Sequence, residues 1–154
     1  MPDDPRIDRL RAILTARSDG YGFQFDDELA AFGPLDADLA ASLALLFDDN
    51  EPHDELMFSL IHFIEQLPSA AYITALLAAA PTLATSAPYW TTVVLIRILN
   101  SEETRLDLVR QLRLAPSAAR SAIKALTEAL TQEDPRFLAK ATVVLLAASK
   151  GTQV

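Results

Sequence analysis

Five prolines, at positions 52, 68, 88, 116 and 135, constrain this chain more than any other feature. A proline inside a helix removes a main-chain hydrogen bond, but in the first turn its missing N–H has no intrahelical partner to lose. Each of the five stands at the head of a stretch whose apolar residues recur every three or four positions. The chain therefore reads as successive helices of about three or four turns each. Short links between helices make antiparallel neighbours, so the expected fold is all-α. It takes the form of stacked antiparallel helical hairpins, a degenerate HEAT-like arrangement of about eight or nine helices without a clean internal repeat. At 154 residues the chain has the length of one domain, 1–154. Abundant Ala and Leu with only four Gly favour helix throughout.

Helix boundaries follow from local signals. A first helix covers residues 5–17, with Ile7, Leu10, Ile13 and Leu14 on one face, and ends at Ser18-Asp19-Gly20. Residues Tyr21 to Phe25 alternate aromatic with small or polar side chains. A lone strand would have no partner, so this segment is expected to be an extended loop pinned by its aromatics. Asp26, Asp27 and Glu28 then open a short helix that stops at Gly33-Pro34, and Asp36 caps the next, over 37–47. Asn50 is a candidate cap for the following helix, with Pro52 and His53 in its first turn. That helix has an apolar face of Met57, Leu60, Ile61, Ile64 and Leu67 and a polar stripe of Glu55, Ser59, His62 and Gln66.

Residues 66–96 contain no charged side chain, a window long enough to cross a bilayer. Pro68, Pro81 and Pro88 are expected to cut it into pieces too short to span, leaving two buried helices, the first ending at Pro81. The second, from Tyr89 to Asn100, is apolar nearly all round and should be central. Its Arg97 needs an acidic partner, for which Glu65 is chemically suited. Ser101 caps a further helix with Leu106, Val109 and Leu112 inward. Two more follow, over 116–131 and 135–149.

Chemistry is poorly represented. Without cysteine there are no disulfides and no thiolate metal sites. His53 and His62 are nine residues apart, on opposite sides of a helix, so they cannot share a metal from it. There is no Gly-x-Ser-x-Gly elbow and no glycine-rich phosphate loop, and the carboxylates cluster where water reaches them. The expectation is a non-enzyme with no catalytic residue, no metal and no cofactor. The start of the chain lacks the basic and apolar regions of a signal peptide, so a cytoplasmic protein is expected, with a monomer favoured.

Charge is distributed unevenly. The formal net charge is −8, yet no Lys or Arg occurs between Arg17 and Arg97, where 12 acidic residues fall. Such a block repels nucleic acid and anionic membranes and attracts basic partners over long range. Asp26, Asp27, Glu28, Asp48, Asp49, Glu51, Asp54 and Glu55 are expected to form one acidic, partner-binding face.

The run His53-Asp54-Glu55-Leu56-Met57-Phe58-Ser59-Leu60 is followed by Ile64-Glu65, Tyr72 and Pro81. Ala87-Pro88-Tyr89-Trp90 and Arg97-Ile98-Leu99-Asn100-Ser101 complete a pattern. It resembles an immunity-protein family of bacterial polymorphic-toxin and contact-dependent inhibition systems, over roughly residues 48 to 112. The resemblance implies a small cytosolic protein that binds and neutralises a cognate toxin domain, without cofactor or catalysis. Many toxin domains are nucleases with basic substrate-binding surfaces, which an acidic protein can occupy. The alternative is a helical-repeat scaffold whose protein partner is not a toxin.

Overall fold

The computed structural model describes residues 4–150. Among these residues there are nine α-helices and no strand. They are α1 (Pro5–Ala16), α2 (Tyr21–Ala30), α3 (Ala37–Ala44), α4 (Asp54–Ile64), α5 (Ser69–Ser86), α6 (Pro88–Leu99), α7 (Glu102–Leu112), α8 (Ser117–Glu133) and α9 (Leu138–Lys150). A short 3-10 turn, Pro135–Phe137, leads into α9. The all-α expectation and the helix count hold.

The longest helix, α5, packs against α3, α6, α7 and α8. Pairs α1–α2, α3–α4 and α8–α9 build out from it, and one continuous apolar cluster runs through the molecule. Local caps match the sequence at several ends. The Asp36 carboxylate accepts from Leu39 N–H at 2.8 Å, and Asp134 accepts from Arg136 N–H at 3.1 Å. The apolar face of α4 is buried at Met57, Leu60, Ile61 and Ile64, while Glu55, His62 and Gln66 face out.

Four expectations fail, each to a tertiary contact or to a different face. Tyr21–Phe25 is not an extended loop but the first half of α2. Gly20, at φ 75°, adopts the left-handed conformation that glycine takes freely, so the helix starts immediately after it. Tyr21, Phe25 and Leu29, four residues apart, then form a buried stripe, which short-range alternation had disguised.

Helix α4 does not begin at Asn50 or Pro52. Its N-cap is His53, and the preceding turn is held by the buried Glu51 side chain.

Pro81 does not end α5, which continues to Ser86. Its ring lies on the exposed side, while Ala79, Ala80 and Leu83 are buried on the other. This one helix, Ser69–Ser86, is long and apolar enough to cross a membrane by length and composition. Its packing on four neighbours is that of a core helix.

Finally, α7 buries Leu108 and Leu112, while Leu106 is exposed. The helix is rotated relative to the predicted face because Leu108 and Leu112, one turn apart, make the shared stripe.

Candidate functional site

The turn joining α1 to α2 lies beside the first turn of α4, and between them is an open cleft of about 410 Å³. Arg17 closes α1 in a left-handed conformation, and Gly20 repeats that conformation, so the chain reverses within four residues. The reversal brings Asp19 and Asp26 to one wall of the cleft and His53 and Glu55 to the other. Tyr21 and Leu56 form its floor, both buried. Phe23 stands at its edge, 80% exposed.

The floor is held by a buried polar link. Tyr21 Oη donates to Glu51 Oε2 at 2.7 Å, and His53 N–H donates to the same oxygen at 3.0 Å. Glu51 is only 5% exposed, so its charge is spent on these two bonds. The Tyr21 hydroxyl is pushed up from its ordinary value to about 12 by its burial and by the Glu51 carboxylate, and it stays a donor. The His53 ring packs on Tyr21 with centroids 5.5 Å apart, and its Nδ1 lies 3.6 Å from Glu55 Oε1.

The eight acidic residues expected on one face are divided by the structure. Asp26 and Glu55 line the cleft, Asp54 is exposed in the same first turn of α4, and Asp27 is exposed on α2. The others have internal work. Glu28 pairs with Arg9 at 3.5 Å, and Asp48 pairs with Arg17 at 3.8 Å while accepting from Asn50 N–H. Asp49 caps α6 by accepting from Tyr89 and Trp90 N–H, and Glu51 is buried. Asp19 and Phe23, which also line the cleft, lie outside the eight residues expected to bind a partner. The signal for Phe23 was present: within a helix its two-residue offset from Tyr21 and Phe25 places it on the opposite face.

Arg97 meets Glu65 as expected, through a two-pronged contact of Nε to Oε2 at 2.7 Å and Nη2 to Oε1 at 2.8 Å. The pair stands at the surface and ties α6 to the end of α4. Helix α4 also touches α6 through an edge-to-face contact of Phe58 on Trp90, while its buried face rests mainly on α2 and α3. His62 is exposed on α4, away from His53. Among the described residues no group of three or more His, Asp or Glu converges as a metal site would require.

The cleft thus offers the carboxylates of Asp19, Asp26 and Glu55 around an exposed aromatic ring, with Arg17, paired to Asp48, also in its lining. Carboxylates beside an exposed ring are suited to holding a cationic, partly apolar surface. No curated protein and no solved structure matches the chain. A family model described as Immunity protein 30 matches residues 17–108, a span that contains the whole cleft, the Asp49 cap and the Arg97–Glu65 pair. With well over half of its length matched, the chain belongs to the Immunity protein 30 family.

Proposed function

We propose that this protein binds a cognate protein toxin in the cytoplasm and neutralises it, using the acidic cleft between the α1–α2 turn and α4. The observation that carries the reading is the pairing of Phe23, exposed beyond any packing need, with the carboxylates of Asp19, Asp26 and Glu55 around one cleft. Interfaces draw most of their energy from a few aromatic anchors, and charges around them set association rate and partner choice. The excess of negative charge on this part of the chain favours a toxin surface that is basic. Asp27 and Asp54 extend the same field. Inhibition needs only occupancy of that surface, with no cofactor and no covalent chemistry.

Cells carrying the cognate toxin gene should survive when this protein is co-expressed. Reversing Asp26 and Glu55 to Lys should abolish the rescue while leaving the circular dichroism spectrum intact. The association rate should fall steeply as salt is raised, because screening shortens the reach of the acidic field. Full rescue by the doubly reversed protein would place the interface elsewhere.

A further inference from the structure

At the opposite end of α4 lies a second cleft, of about 470 Å³, between the α4–α5 and α6–α7 turns. Its lining offers hydrogen-bond donors from two helix starts and from the Arg97, Asn100 and Tyr72 side chains. Several carbonyls that end α4 and α6 are taken: Ile61, Ile64, Ile98 and Leu99 accept from Glu65 N–H, Leu67 N–H, Thr104 Oγ1 and Arg105 Nη1. The N-termini of α5 and α7, which also face the cleft, have no side-chain cap. Arg97 uses Nε and Nη2 on Glu65, which leaves Nη1. Asn100 Oδ1 accepts from Lys140 Nζ, which leaves the side-chain amide hydrogens.

A buried orphan completes the set. Tyr72 is 6% exposed, and its hydroxyl is the one buried side-chain polar atom among the described residues without a hydrogen-bond partner. Tyr72 lines the cleft together with Glu65 and Arg97, and on its other side it borders an apolar crevice with Ile61, Ile64 and Val94. An orphan hydroxyl is costly unless something meets it.

We propose that this cleft binds a carboxylate group. Two helix N-termini, the Arg97 guanidinium and the Tyr72 hydroxyl offer donors to its oxygens. Arg97 and Glu65 offset each other's charge, so binding rests on hydrogen bonding and not on net charge, and the exposed Glu103 at the rim disfavours a doubly charged anion. The assignment is independent of the toxin-binding cleft.

The test is an NMR titration of the full chain with sodium acetate against sodium chloride at equal ionic strength. Acetate should produce saturable shifts at the Glu102, Glu103 and Thr104 amides that chloride does not. Tyr72→Phe should weaken acetate about tenfold, the loss of one charge-assisted hydrogen bond, and Glu103→Gln should tighten it. A dipeptide with a free C-terminus, run against its C-terminal amide, distinguishes a polypeptide source: tighter binding than acetate by the free acid alone marks a chain end. Responses identical to chloride, or unchanged by Tyr72→Phe, overturn the proposal. Should Tyr72→Phe fail to fold, the acetate and chloride comparison on the unmodified chain still decides it.

Discussion

The carboxylate of Asp49 caps a helix that begins about forty residues further along the chain, accepting the Trp90 N–H at 3.1 Å and the Tyr89 N–H at 3.0 Å. Helix α6 opens with Pro88 and has no local side-chain cap, so this distant carboxylate supplies what its own sequence lacks. Asp49→Ala should cost about 1–2 kcal/mol, the usual loss of an N-cap. Urea unfolding should show a lower midpoint with an unchanged slope. Asp49→Asn, with one acceptor oxygen instead of two, should fall between.

Alkaline pH should expose the Tyr21–Glu51 link. The Tyr21 hydroxyl is raised from 10.0 to about 12 by burial and by the hydrogen bond to Glu51. Between these values the unfolded chain has lost its tyrosine proton while the folded chain keeps it. The stabilisation is therefore complete below about pH 10 and is lost as pH rises through about 12. Tyr21→Phe should be less stable at neutral pH yet flatter across that window, as followed by denaturant midpoints at several alkaline pH values. Tyr72 is raised still further by its burial, so its loss comes later.

Removing Pro81 should help the fold. The residue interrupts α5 without ending it and lies on the exposed side. Pro81→Ala restores an N–H to bond the Leu77 carbonyl and should stabilise the protein by about 1–3 kcal/mol. A rise in the thermal midpoint is the expected readout. A fall would mean that the neighbouring helices have packed around the interruption.

Phe23→Ala separates binding from folding. Because Phe23 is 80% exposed, its loss should change stability by less than about 0.5 kcal/mol. Affinity for the cognate toxin should drop at least tenfold, about 1.4 kcal/mol, if the ring is an interface anchor. Calorimetric titration of the two proteins measures the second quantity and thermal denaturation the first.

Periodicity and capping chemistry were enough to read most of the helices from the chain itself. The α4 stripe, the Asp36 and Asp134 caps and the proline-led start of α8 rest on contacts within one or two turns. Local sequence specifies such contacts. The Arg97–Glu65 pair was legible for another reason, since a lone cation in an apolar helix needs a counter-charge and few were at hand. What the sequence could not convey was which acids would be spent internally. Asp48, Asp49 and Glu51 look alike in a row of carboxylates, yet one pairs with Arg17, one caps α6 and one is buried against Tyr21. Each fate depends on a group brought near from tens of residues away. The same holds for Pro81: its position in α5 is tolerable because packing on α3, α6, α7 and α8 outweighs one missing hydrogen bond. The all-helical build was determined by the chain's own spacing and end signals. The acidic cleft was decided by tertiary structure, because burial and long-range hydrogen bonds select which charges remain free to meet a partner.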